Sequence, residues 1–121
     1  KRLIGKMYTE GLKNIKNLKL PIVSSRYAKN IYWVFPIIIK SKKFDAKKLI
    51  KLLKKRGIET RPFFCPMHMQ PILKRMKLIG KEKYPISEQI YKYGIYLPSG
   101  IGNTFSEIKT VVKNIKKIFN N

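Results

Sequence analysis

Pro62, Pro66 and Pro71 punctuate the stretch Thr60-Arg61-Pro62-Phe63-Phe64-Cys65-Pro66-Met67-His68-Met69-Gln70-Pro71, which no helix or continuous strand can span. Each proline fixes its own φ, removes a backbone donor and pushes the preceding residue towards extended geometry. Regular elements must therefore be arranged around this segment, whose path is stiff. A loop that only connects tends to be polar and rich in Gly and Ser. This one carries a guanidinium, two adjacent rings, an imidazole and an amide. Stiff loops of that kind give small-ligand pockets orienting contacts at a low ordering cost. On residues alone, Arg61 is a candidate for bidentate binding of a carboxylate or phosphate, and His68 and Gln70 for hydrogen bonds to hydroxyls. Equally open is a structural role, with Phe63, Phe64 and Met67 in the core and Arg61 capping a carboxylate elsewhere.

The flanking elements follow from periodicity. Leu3, Ile4, Met7, Tyr8, Leu12, Ile15 and Leu18 recur at three- and four-residue steps, predicting an amphipathic helix over residues 2 to 18 that Leu20-Pro21 ends. Ile31 to Ile39 is β-branched and aromatic, hence a strand, with Pro36 implying an edge or a bulge. A helix from Asp45 to Arg56 has Asp45 as N-cap and Gly57 as its left-handed stop. Ile58 to Thr60 reads as a short strand, Met69 to Leu78 and Ile86 to Tyr93 as helices, the second closed by Gly94, and Ile95 to Leu97 as a third strand. Thr104-Phe105-Ser106-Glu107 is a capping box opening a final helix, with Ile108, Val111, Val112, Ile115, Ile118 and Phe119 on one stripe. Short strands divided by helices predict a single α/β unit of the two-layer α+β kind, a small three-stranded sheet with helices on one face.

Charge narrows the function classes. The chain has 28 basic and 6 acidic residues, a formal charge of +22. Only Arg2, Arg26, Arg56, Arg61 and Arg75 are arginines, the residue favoured for bidentate nucleic-acid contacts. The lysines are spread over every segment, most of them at helical spacing opposite apolar residues, which reads as solvated faces, so nucleic acid is not the expected partner. One cysteine, Cys65, excludes an intramolecular disulfide framework and suits a reducing, cytoplasmic setting. Ile31 to Ile39 is the longest uncharged apolar run, about half of the roughly 20 residues that a membrane-spanning helix needs. One His and one Cys cannot build a structural metal cluster, so no metal is expected. Cys65 and His68 have a nucleophile-and-base spacing. In a turning loop, however, residues three apart seldom aim at each other, and Cys65 reads better as a small filler. The chain opens with Lys1 inside a helical pattern, as a piece of a longer protein would.

The ordered series Asn30-Ile31-Tyr32-Trp33-Val34-Phe35-Pro36-Ile37, Gly57-Ile58-Glu59-Thr60-Arg61-Pro62-Phe63-Phe64, Pro66-Met67-His68-Met69-Gln70-Pro71 and Leu97-Pro98-Ser99 resembles the C-terminal part of the DegT/DnrJ/EryC1/StrS sugar-nucleotide aminotransferases. Its closest likeness is to the GDP-perosamine synthase branch. The resemblance implies the small domain of a fold-type-I enzyme dependent on pyridoxal phosphate (PLP). Such enzymes move an amino group from glutamate to a nucleotide-linked keto sugar and usually form homodimers. Residues 1–19 would be the entering helix and residues 20–121 the α/β core. Carried over by position, Arg61, Phe63, Phe64 and His68, with Gln70 beside them, fall on the substrate side, whereas Tyr32 and Trp33 fall on the neighbouring strand as structural residues. The family's Schiff-base lysine, the acid facing the pyridine nitrogen and the phosphate-binding residues all precede this region. PLP would thus be bound by the missing large domain, and this chain alone would have no turnover and no catalytic residue. Residues 60–71 would then form one wall of a cleft whose other wall lies outside the chain. Two other classes fit the residues less closely: a basic nucleic-acid-binding module, and a non-catalytic remnant that docks a partner.

Overall fold

In the computed structural model, which describes residues 1–41 and 45–120, the first helix ends earlier than its apolar spacing predicts. Helix α1 spans Arg2–Leu12 and buries Ile4, Gly5, Tyr8 and Leu12. The chain then turns, with Ile15 donating to the Leu12 carbonyl and Leu18 to that of Ile15, both at 3.0 Å. Asn14 and Asn17 favour such turns over helix interiors. Leu18–Lys19 becomes strand β1, paired antiparallel with Ile38 and Ile39 of strand β2, Phe35–Ile39. The sheet therefore has four strands, one more than predicted, because a two-residue strand is defined only by its distant partner.

Strand β2 begins at Phe35 and not at Ile31, because Tyr32 sits at φ 53° and breaks the extended run. Asn30 holds that conformation, its Oδ1 accepting the Tyr32 N–H at 2.7 Å. Left-handed backbone at a bulky residue costs about 1–3 kcal/mol. The turn has two consequences: the Tyr32 ring enters the core beside Phe35 at 5.8 Å, and Trp33 is thrown outward, 67% exposed.

Helix α2, Ala46–Lys54, is capped by Asp45, whose side chain accepts the Lys48 N–H. It closes at Gly57, φ 71°, with Ile58 donating to the Leu53 carbonyl and Gly57 to that of Lys54. Both caps match the sequence reading. The second short strand, β3, is Arg61–Pro62, later than the predicted Ile58–Thr60. A 3-10 turn at Met67–Met69 and helix α3, Pro71–Arg75, replace the single helix predicted over residues 69–78. Helix α4, Pro85–Tyr93, leads directly into strand β4, Gly94–Leu97. Gly94 closes α4 as the sequence reading has it, in extended backbone. Helix α5, Phe105–Asn120, starts at the capping box, with Glu107 Oε2 accepting the Thr104 N–H at 2.7 Å and Thr104 Oγ1 accepting the Glu107 N–H at 3.2 Å.

Strand order is β1-β2-β4-β3, antiparallel throughout, with Phe35 opposite Leu97 and Ile37 opposite Ile95. Lys40 N–H donates to the Asn17 carbonyl at 2.8 Å, so the even-numbered residues of β2 turn their backbone groups towards β1. Pro36 faces that side beyond the last residue of β1 and thus costs no ladder bond. This is the edge that its presence predicts, on a strand that is otherwise internal. Pleating sends Phe35, Ile37, Ile39, Ile95 and Leu97 to one face, where α1, α2 and α5 bury them with Tyr8, Leu49, Leu53, Ile108 and Ile115. The other face is left to Pro36, Tyr96 and the proline-braced segment.

Candidate functional site

The exposed sheet face is built by register. Arg61 lies opposite Tyr96 and Pro62 opposite Ile95, and Phe63 N–H donates to the Gly94 carbonyl at 3.3 Å. Alternation places Arg61 and Phe63 on the Tyr96 side, away from the core. Phe63 stacks on Tyr96 with ring centroids 4.4 Å apart, and Phe64 tilts against the same ring at 5.8 Å. Gly94 permits this, since a Cβ there would overlap the Phe63 ring. Its requirement is close approach, not a turn. Burial against these neighbours pushes the Tyr96 phenol up.

Two clefts open from this aromatic stack and share Phe64 as their divide. The first, about 480 Å³, has Trp33, Glu59, Thr60, Arg61, Tyr96 and Ser99 in its walls. Arg61 is exposed there and, among the described residues, makes no hydrogen bond or ion pair. A free guanidinium beside aromatic rings is suited to a carboxylate or phosphate. Phe64 and Trp33 stand outward, Phe64 73% exposed. The rim residues Pro98 and Ser99 are tied to α1, Tyr8 Oη donating to the Pro98 carbonyl at 2.6 Å and Lys1 Nζ to that of Ser99. Thr60 Oγ1 is buried without a partner.

The second cleft, about 630 Å³, lies between the proline-braced segment and α4 and is lined by Phe63, Phe64, Cys65, Met67, His68, Leu78, Glu82 and Tyr84, among others. His68 Nε2 is 2.9 Å from Glu88 Oε1, which also accepts the Tyr84 N–H at 3.1 Å. The Tyr84 ring leans on the imidazole at 4.9 Å. The hydrogen bond from His68, and then that from the Tyr84 amide, hold the Glu88 carboxyl below the usual carboxylate range. Gln70 donates from Nε2 to the Cys65 carbonyl at 3.1 Å, so its amide braces the loop. The neighbouring Cys65 sulfur pushes the Tyr91 phenol up.

Of the five residues singled out in the sequence, Arg61 and Phe64 meet at the first cleft, and Phe63, Phe64 and His68 at the second, while Gln70 borders neither. Sequence reasoning missed Tyr96 and Glu88. Alternation in Ile95-Tyr96-Leu97 carried the first, because it sets Tyr96 opposite in face to two core residues. No local signal carried the second, twenty residues from its partner.

Comparison with known proteins identifies the family of the chain. The model of the DegT/DnrJ/EryC1/StrS aminotransferase family matches residues 1–116. An uncharacterised protein of Methanocaldococcus jannaschii is 30% identical over 117 residues, covering 95% of this chain and 30% of the relative. The GDP-perosamine synthase of Vibrio cholerae is 34% identical over 91 residues, 74% of this chain and 24% of that enzyme. Helicobacter pylori PseC, an aminotransferase involved in the biosynthesis of pseudoaminic acid, superposes with a TM-score of 0.84 at 19% identity, covering 98% of this chain and 32% of its own. The chain thus spans under a third of the length of the curated relatives it matches.

Proposed function

The chain belongs to the DegT/DnrJ/EryC1/StrS aminotransferase family, and on that premise we propose that it is the small-domain part of a PLP-dependent sugar-nucleotide aminotransferase. The substrate class is that of GDP-perosamine synthase, with glutamate as amino donor, acting in the cytoplasm on precursors of polysaccharide. What carries this reading is that the family match takes in nearly the whole chain while the chain accounts for 30% of its relative. The remaining length is where a PLP-binding large domain and a dimer contact belong. Every described lysine is exposed, whereas a Schiff-base lysine needs a desolvated pocket to lower its pKa. The residues present therefore do not fit PLP, and the cofactor is assigned to the large domain. In the assembled enzyme Arg61 contributes a fixed positive charge to an anionic part of the substrate. Phe63, Phe64, His68 and Gln70 shape the cleft beside it, Gln70 by bracing the loop.

The test is reconstitution with a large domain of this family. PLP added to this chain alone should show no change in absorbance. The pair should acquire the visible absorbance of bound PLP and transfer the amino group of GDP-perosamine to 2-oxoglutarate, giving glutamate. A pair that binds PLP but transfers nothing from any nucleotide-linked amino sugar overturns the reading. Arg61→Lys in the active pair should raise KM about tenfold, since a lysine cannot reproduce the two-pronged contact.

A further inference from the structure

We propose that Glu88 is a positioning residue: its carboxylate fixes the tautomer and orientation of His68 so that Nδ1 is presented as a hydrogen-bond acceptor to the 630 Å³ cleft. The inference rests on the functional reading above and adds to it a residue from a different element and a defined chemical role for the imidazole. Glu88 lies on α4, while His68 lies in the 3-10 turn of the proline-braced segment. One carboxylate oxygen, Oε1, receives both the imidazole Nε2 at 2.9 Å and the Tyr84 backbone N–H at 3.1 Å. An ionised carboxylate only accepts. Nε2 must therefore carry the proton in the neutral ring, and Nδ1 is left with a lone pair.

What Nδ1 does is decided by its surroundings. Among the described residues it makes no hydrogen bond, and Thr60 Oγ1 is the one side-chain polar atom both buried and without a partner. Nδ1 is thus open to the tenth of the His68 side chain that remains accessible, and His68, unlike Glu88, lines the cleft. The Tyr84 ring leans on the imidazole from one side, and the bond from Nε2 to Glu88 sets which ring edge meets α4. An acceptor held in place among Phe63, Phe64 and Met67 selects a ligand group that donates, such as a sugar hydroxyl, against an anion. Arg61 at the neighbouring cleft selects the anion. The two clefts divide the recognition of one ligand that has both groups.

His68 is the chain's single histidine, so its ring nitrogens can be read without assignment by two-bond proton–nitrogen correlation NMR at a pH where the ring is neutral. The wild-type chain should show a protonated Nε2 and a bare Nδ1. Glu88→Gln should keep that tautomer, since an amide oxygen accepts both bonds, and Glu88→Ala should let the two tautomers average. In the reconstituted enzyme, Glu88→Ala should raise KM for GDP-perosamine about tenfold at unchanged kcat, as loss of one oriented hydrogen bond does, with Glu88→Gln restoring it. A protonated Nδ1 in the wild type, an unaltered tautomer in Glu88→Ala, or a lost tautomer with unchanged KM each overturns the proposal. If the wild-type pair transfers no amino group, the functional reading falls, while the tautomer measurement still decides the orientation of His68.

Discussion

Lys77 and Gly57 occupy the same position in two helix endings, and only one of them suits it. Each donates to the carbonyl three residues back, and the residue after each, Leu78 or Ile58, donates to the carbonyl five residues back. Both have positive φ, 55° at Lys77 and 71° at Gly57. A left-handed backbone costs an L-residue roughly 1–2 kcal/mol, whereas glycine adopts it freely but loses more entropy on folding. A Cβ at Gly57 would meet nothing within 4 Å, so backbone strain alone decides the outcome there. Gly57→Ala should therefore lower stability by about 1 kcal/mol, and Lys77→Gly should raise it by up to about 1 kcal/mol. Denaturant titration of both variants checks this, and equal signs would mean that the backbone at one of them is not left-handed. The sequence displayed the first site, because Gly after an amphipathic run has few other uses. It concealed the second, where lysine occupies the same geometry.

Tyr8 on α1 and Pro98 after β4 are ninety residues apart in sequence and joined by one hydrogen bond of 2.6 Å. That bond seats the far end of the sheet, and with it the rim of the Arg61 cleft, on the first helix. Tyr8→Phe leaves the Pro98 carbonyl without its partner, which should cost about 1–3 kcal/mol. Burial also pushes the Tyr8 phenol above its ordinary value of 10.0. A group whose folded value is raised contributes its stabilisation fully below the unfolded value and loses it as pH rises beyond that. The stability difference between wild type and Tyr8→Phe should thus be constant below about pH 9 and shrink above about pH 10. Taking the difference cancels the lysines, which titrate in the same range. A difference that stays flat to pH 11 would mean that Tyr8 is hydrated. At this scale the legible parts were those set by neighbours in sequence: the Asp45 cap, the capping box at Thr104 and the stripe of α5. Strand β1 was not legible, since Ile15 and Leu18 continue the α1 spacing. Only Ile39, opposite Leu18, makes that residue a strand residue. The candidate site divides the same way, for the crowding of Arg61, Phe63, Phe64 and His68 was written in one segment, whereas Glu88 reaches His68 only through the fold.

With 28 basic residues against 6 acidic ones, the folded chain is self-repelling, and its described lysines are exposed on every helix that bears one. Raising ionic strength from about 0.01 M to about 0.15 M shortens the screening length from roughly 30 Å to 8 Å. The melting temperature should therefore rise by several degrees across that range without any ligand. A melting temperature indifferent to salt would mean that the charges are already compensated. The exposed apolar residues make a separate demand on the whole molecule, because Trp33, Phe64, Met67 and Leu78 stand outward in the walls of the two clefts. Exposed apolar side chains gathered at clefts suit a surface that another body covers, and the large domain proposed above would be that body. Adjacent phenylalanines separate this from ordinary core packing. Phe63 is stacked on Tyr96 and closes over Gly94, so Phe63→Ser should destabilise this chain by about 3 kcal/mol. Phe64 faces out, so Phe64→Ser should leave the chain's own stability within about 0.5 kcal/mol while weakening association with a large domain at least tenfold, as loss of an interface anchor does. Melting curves of the two variants and a titration with the large domain measure both effects. Equal destabilisation by the two substitutions would make Phe64 a core residue and close the face to any partner.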